Sequence, residues 1–515
     1  MPFLRPLRAL ALCFVAAAVP LAAQLPPITV PKGLLRLDFG GRLDNWDQRY
    51  LNGVKQDAAS DFTRNPVDGL WLSTLGDAET RLRQATGMNA LSLSLGKSSS
   101  TMLVNIGTAS IGAAYGVTRR LTLFGNVPIV RVRVQETFRL DSTDATAGFN
   151  PADPVFGTSA GAAQTSVFRS QLTSALTMLS QRLSAGAYDS DPARKAMAQS
   201  LVANGGALDD LLINASFLPL AGTPGGAALT SSIEALRTGL VSTDSTLTPV
   251  VGLPALPAAR ISTAAFDDFL TNLDGPIAAD SLSQPVLSYL GDVEVGAAYA
   301  WLDHRPAAGG FQVRSVLQGL VRLRTGKLDL PDAFFDLPTG GQPAVQGDLV
   351  TDLVLGKVGA RVTGRYALQL PVRQSRRVAP LDQPFALASS LADVERDPGE
   401  IVEGSLEPFV RIGPTLSLVA GVRYWSKQAD KYTYAGNQPP IPGVDISVLA
   451  ADSRENGTAL SAALSFVHTG VRRDGSVGLP MDAALRWEMV ARSTQGRVPA
   501  KQSVSVALRF FHTLF

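Results

Sequence analysis

The chain has 515 residues, 45% hydrophobic and only 17% charged, with a formal net charge of +2. A nucleic-acid binder would show a strong basic excess or a basic stripe, so that class is set aside. The single cysteine is Cys13, which leaves no disulfide and no thiolate metal site for the rest of the chain.

The first element in chain order is a targeting segment, residues 1–23. Arg5 and Arg8 precede a short apolar run, Ala9 to Ala18, and Leu21-Ala22-Ala23 offers small residues for cleavage before Gln24. That is the pattern of a secretory signal peptide. Beyond it no stretch approaches the roughly 18 consecutive apolar residues of a membrane helix. Strand-like runs follow instead. Gly33 to Asp44 sets Leu35, Leu37 and Phe39 against Arg36, Asp38 and Arg42, the period-two pattern of a strand with two unlike faces. A short helical stripe, Leu70 to Leu82, is expected either to join a cap or to enter the lumen as a plug. Thr101 to Tyr115 and Arg120 to Phe138 form the next pair of strands. Within the third run the apolar phase changes at Pro128: the odd residues are apolar before it, and Val130, Val132 and Val134 after it. Proline cannot donate to a strand ladder, so a bulge at Pro128 is expected to restore one continuous lipid face. A sideways exit toward the membrane for an apolar ligand could lie there.

Residues 138–284 differ in kind. Phe168, Leu172, Leu176, Leu179 and Leu183 make one helical stripe; Ile233, Leu236 and Leu240 a second; Phe266, Phe269, Leu270 and Leu273 a third. Asp191-Pro192 reads as a helix cap and first residue. The stripes are expected to pack on one another as a helical cap, which gates the mouth or collects apolar solutes. Strand-like runs resume at Asp292 to Leu302 and continue with Phe311 to Arg324, Asp348 to Leu355 and Ala360 to Leu370. Glu400 to Ile412, Leu416 to Trp425, Thr458 to His468 and Met481 to Arg492 follow. The final run, SVSVALRFFHTLF, makes twelve. Links after even-numbered runs are short and links after odd-numbered ones long, except the eleventh, Ser493 to Ala500. Outer-membrane barrels segregate loop lengths this way. An open edge is not tolerated in lipid, so the last run must pair with the first. The terminal Phe515 reads as an assembly signal.

The expected fold is therefore all-β: a transmembrane antiparallel up-and-down β-barrel of about 12 strands with a helical extracellular insertion. Its parts are the signal peptide (1–23), first strands with a helical loop (24–137), the cap (138–284) and the remaining strands (285–515). Polar residues of the runs should line the lumen: Arg314, Arg322, Arg324, Asp348, Asp352, Arg361, Arg365, Glu403, Glu407 and Arg423. Their sign largely alternates from strand to strand, which suits cross-strand ion pairs. Arg322 and Arg324 are expected at the height of Asp348. Such a lattice gives little net field and fills a narrow bore.

Four stretches resemble a known family: YGVTRRLTLFGNVPIVRV (Tyr115 to Val132), GDVEVGAAYAWL (Gly291 to Leu302), VGARVTGRYALQLP (Val358 to Pro371) and TLSLVAGVRYWSKQADKY (Thr415 to Tyr432). They are similar to the outer-membrane channel proteins of the "meta-pathway of phenol degradation" family. The resemblance spans the barrel runs and leaves out the insertion. It implies a channel for hydrophobic or aromatic compounds, and it brings no catalytic or binding residues.

No nucleophile and base fall within reach of each other. Ser465 and His468, three apart on a strand, point to opposite faces, and no phosphate loop or metal-ligand cluster occurs. The chain is thus read as a non-enzyme without cofactor, in the outer membrane of a Gram-negative-type bacterium. It acts as a passive channel for small, hydrophobic or aromatic solutes. Its partners are outer-membrane lipid, the barrel-assembly machinery and a small apolar solute. The alternative is a structural or surface-binding barrel with an occluded lumen.

Overall fold

The computed structural model describes residues 28–280, 285–304, 306, 310–328, 330–334, 340–413, 415–468 and 480–513. The targeting segment and Phe515 lie outside them. Twelve strands close into one antiparallel barrel. They are β1 (Leu34–Trp46), β2 (Lys97–Gly116), β3 (Leu121–Asp141), β4 (Glu294–His304), β5 (Gln312–Arg322) and β6 (Ala344–Leu355). Then come β7 (Val358–Gln369), β8 (Ile401–Arg411), β9 (Leu416–Lys427), β10 (Glu455–His468), β11 (Met481–Arg492) and β12 (Gln502–Thr513). Each strand pairs with the next in sequence. β12 then pairs with β1, from Leu34↔Thr513 to Asn45↔Gln502, so the final run is the strand that closes the wall. No edge remains to be satisfied by water.

The alternation seen in the sequence sorts residues between two environments. Leu123, Val127, Leu317, Leu349, Val422 and Val506 stand exposed on the outer face. Tyr299 and Trp301 lie on that face toward the end with short links, Tyr366 and Tyr424 toward the other. An apolar belt flanked by aromatic residues on a closed barrel is the exterior of a membrane-spanning barrel. Among the described residues no helix is long and apolar enough to cross a membrane. The end with the long links is taken as external, following the same architecture.

β2 and β3 are nearly twice as long as most other strands. Lys97–Leu103 and the facing part of β3 continue past the last residue that β1 pairs. At about 3.4 Å per residue this hairpin runs on for roughly 25 Å along its own axis beyond β1. The helices pack against its inner face. α1 (Ser73–Thr86) comes from the link between β1 and β2; α2 (Ser159–Ser184), α3 (Pro192–Asn214), α4 (Pro224–Thr243) and α5 (Thr263–Thr271) come from the link between β3 and β4. Asp191 caps α3 as its sequence suggests, accepting from Arg194 N with Pro192 in the first turn. Phe168, Leu172 and Leu179 of α2, Ile233, Leu236 and Leu240 of α4, and Phe266, Phe269 and Leu270 of α5 are all buried in one cluster. Leu273 is the exception and is exposed. The Leu70 to Leu82 stripe joins this cap: Leu72, Leu75 and Leu82 sit in its core, and Arg81 of α1 pairs with Asp210 of α3.

Aromatic rings tie the cap to the barrel. Phe385, from the link between β7 and β8, is 1% exposed. It meets Trp71 edge-on at 4.7 Å, Phe266 of α5 at 5.7 Å and Phe138 of β3 at 6.2 Å. β3 itself runs on to Asp141, a few residues past the expected start of the insertion, because Phe138 and Leu140 are held in this contact.

Candidate channel lumen and external vestibule

Inside the barrel the charged residues form a connected lattice. Arg361 of β7 donates to Asp352 of β6 at 2.6 Å. Arg365 donates to Asp348 at 2.9 Å and also reaches Glu403 of β8. Arg423 of β9 joins Glu403 to Glu488 of β11, at 3.1 and 2.7 Å. Arg486 of β11 reaches Glu407 of β8 at 2.5 Å. β8 and β11 are separated by two strands, so such a pair can form only across the concave interior. Arg314 of β5 sits toward the short-link end, where its guanidinium meets the Thr29 hydroxyl. Most of these groups are only partly exposed, and removing one member of a buried pair leaves its partner uncompensated.

The structure corrects three expectations. Asp348 is not level with Arg322 and Arg324. β6 begins at Ala344, so Asp348 faces Gln318 while Arg322 faces Ala344. Arg322 instead pairs with Glu294 on β4, at 2.9 Å. Arg324 does not line the lumen: β5 ends at Arg322, and Arg324 is exposed at the external rim, donating to the Arg373 carbonyl. Third, β3 has no bulge at Pro128. Its register with β2 is unbroken from Lys97↔Asp141 to Gly116↔Thr122. The apolar phase changes because β3 leaves the lipid there. Above it, Arg131 and Arg133 face water, and Val130, Val132 and Val134 face the cap.

Pro128 nonetheless interrupts the wall on its other side. Asn126 pairs with Glu294, but Ile129 pairs with Leu290, so the facing chain holds one extra residue across the proline. The reason is the missing donor: Pro128 can only accept, and its carbonyl takes the Gly291 N–H at 2.8 Å. A side chain at Gly291 would place its Cβ 2.9 Å from the proline ring. Asp292, released from the ladder, folds inward and accepts backbone N–H groups from Thr325, Gly326, Gly341 and Gln342.

This bulge borders a cavity of about 660 Å³ in the external half of the lumen, lined by Arg42, Asp44, Thr108, Pro128, Glu294 and Lys501 among others. At the short-link end the segment before β1 turns into the barrel mouth. Val30 is 1% exposed, and its N–H donates to Thr122 Oγ1 at 2.8 Å. Ile28 packs against Ala298, Ala300 and Val316. Residues 28–30 thus lie inside the short-link end against β1, β3, β4 and β5, the ion pairs line the wall from β6 to β11, and the cavity lies above.

A second cavity, about 380 Å³, lies among the external links beside the cap. Arg49, Arg376, Arg377 and Arg497 line it, together with Asp61, Asp332, Phe62, Met102, Phe334 and Leu381. Arg49 and Arg497 both bind Asp61, at 2.5 and 2.6 Å. Burial alone would raise the Asp61 carboxyl, but the Arg49 hydrogen bond and the Arg497 charge hold it below the ordinary carboxylate range. Arg376 lines both cavities. Above the membrane, burial pushes Glu136 up to about 7 against the Ser100 hydrogen bond, helped by the Asp267 charge.

Sequence patterning missed several of these residues. Arg486 and Glu488 alternate with apolar neighbours on β11, so the period-two argument used on other strands would have found them. Ile28 to Val30 and the vestibule arginines lie in links, where no periodicity marks them. Among the described residues no group of three or more His, Cys, Asp or Glu is placed to hold a metal.

No protein-family model matches the chain. No curated protein sequence matches it either. Among solved structures it is similar to the COG4313 outer membrane channel from Pseudomonas putida F1, at TM-score 0.42 and 11% identity over 95% of this chain and 100% of that one. It is also similar to the Pseudomonas putida toluene transporter TodX, at TM-score 0.24 and 10% identity over 94% and 90% of the two chains. The translocator domain of the autotransporter NalP from Neisseria meningitidis aligns at TM-score 0.28 and 8% identity over 93% and 89%. Similarity at these values carries no functional argument, and the barrel stands on its own strand register.

Proposed function

We propose that the protein is a passive outer-membrane channel for small apolar solutes. In this reading solutes enter from the external vestibule and leave sideways into the membrane rather than along the barrel axis. The observation that carries the proposal is the bulge beside β3, spanned by a single hydrogen bond, where Pro128 and Gly291 both border the upper lumenal cavity. An axial route would have to pass the Arg–Glu and Arg–Asp lattice and the Ile28–Val30 segment. Hydrated solutes are poorly served by a bore lined in this way, whereas an apolar solute in the upper cavity has only the bulge opposite Pro128 between it and the lipid that Val127 and Ile129 face. The resemblance to channels for hydrophobic and aromatic compounds agrees with this reading.

The alternative, a structural or surface-binding barrel, is favoured by the same lattice if nothing crosses the wall. The test is a reversible lock. A Pro128→Cys/Gly291→Cys chain is oxidised in intact cells and uptake of a radiolabelled neutral aromatic is followed. Uptake should fall several-fold and return on reduction. Uptake that is indifferent to the lock sinks the sideways route. Cells that gain no uptake from the unaltered chain would favour the structural alternative.

A further inference from the structure

Building on the channel reading, we propose that the vestibule beside the cap is a binding site for an amphipathic organic anion: an apolar body, aromatic or alkyl, bearing one carboxylate. The cavity has two unlike walls. Phe62, Met102, Phe334 and Leu381 supply an apolar one. The other carries four arginines against two aspartates among its described lining residues. Fixed cations in a concave, partly dry site concentrate anions.

The arginines are not equivalent. Arg377 is anchored: it pairs with Asp332 at 2.7 Å and donates to the carbonyls of Ile277, Ala278 and Ala386. Arg49 and Arg497 share the single carboxylate of Asp61. Arg497 Nε finds Asp452 only at 3.7 Å. Arg49 Nε is buried with no hydrogen-bond partner among the described residues. Arg49 also donates to Ser60 Oγ at 3.0 Å, yet its Nε–H keeps no acceptor among the described residues, as expected where an acceptor arrives with a ligand. Guanidinium groups match a carboxylate in a two-point geometry that a neutral amide cannot reproduce. Arg376, bordering both this cavity and the upper lumen, would pass the carboxylate from one to the other. A volume of about 380 Å³ suits a ligand at the small end of the usual range.

The test uses the full chain in lipid nanodiscs and equilibrium dialysis of labelled 4-phenylbutyrate, with neutral 4-phenylbutanamide as its near-isostere. The carboxylate should bind about tenfold or more tighter than the amide, the scale of a hydrogen bond to a charged group. Arg49→Gln and, independently, Arg376→Gln should each remove most of that difference while leaving amide binding unchanged. Heat-modifiable mobility checks that each variant is folded, and the second variant carries the test if the first is not. Equal binding of the two probes, or carboxylate binding untouched in both variants, overturns the proposal. Uptake of a neutral aromatic is scored separately. Uptake without carboxylate preference would reject this site and leave the channel reading standing. Carboxylate binding without any uptake would do the reverse.

Discussion

The lower and upper halves of β3 are one unbroken ladder with opposite polarity. Below Pro128 the outward residues are Leu123 and Val127, and the inward ones include Thr122 and Asn126. Above it the outward residues are Arg131, Arg133 and Arg139, and the inward ones Val132, Val134 and Phe138. Both halves share the same register with β2. A change of hydrophobic phase can thus come from a change of surroundings instead of a slip of the backbone. The strand keeps its geometry, while lipid gives way to water outside and the charged lumen gives way to a protein core inside.

Substitutions in the two halves should therefore fail in different ways. The largest effect is expected at Phe138→Ala, which opens the ring contacts to Phe266 and Phe385. Loss of a buried phenylalanine costs about 3–5 kcal/mol, and it should appear as faster proteolysis and amide exchange in α5 while the barrel stays heat-modifiable. Next comes Val127→Lys on the lower outward face. A cation there costs about 2–4 kcal/mol at the bilayer midplane and about 0–1 near the interface, so urea titration of folding in vesicles both tests the placement and measures its depth.

Glu136 gives a smaller, pH-dependent effect. Its folded-state value of about 7 lies above its ordinary 4.5, so the folded cap base holds the proton more tightly than the unfolded chain does. The stabilisation is full below about 4.5 and is lost as pH climbs through about 7. Amide exchange at α5 should therefore quicken over that window, and Glu136→Gln should flatten the profile. A profile that steepens toward acid would contradict the burial of Glu136. The smallest effect is expected at Arg133→Leu on the upper outward face, within about 0.5 kcal/mol as for an ordinary surface change. A large penalty there would return the upper half of β3 to the lumen.

The same contrast explains what the sequence could reveal. Twelve strands were legible because each has two faces in unlike media, and the helical stripes of the cap because Phe168 to Leu179 recur at the helical period. The inward placement of Arg361, Asp352, Arg365 and Asp348 followed from strand-by-strand polarity. Their heights did not, because period-two patterns say which face a residue takes and not where a strand begins. Ala344 to Gly347 belong to β6, yet only Gln346 there is a large polar residue. Pro128 was legible as an interruption, but its consequence fell on the facing chain at Gly291, which no single strand pattern can show. The vestibule draws Arg49, Phe334, Arg376 and Arg497 from four separate links, so its chemistry exists only once the links are folded together.

The ladder between β1 and β12 carries an order of assembly within it. Leu34 and Thr513 are neighbours in space at nearly opposite ends of the described chain, so their pairing is the most distant strand closure among the described residues and entropically among the costliest. Once it forms, the wall is a closed ring, its inner face carrying Arg486–Glu407 and Arg423–Glu488, and a segment could pass between strands only by reopening it. The residues of α2 to α5 must by then already be on the far side. The expected order is therefore translocation of the cap before zipping of the seam, and a variant that closed its seam early should trap its own helices on the wrong side of the membrane.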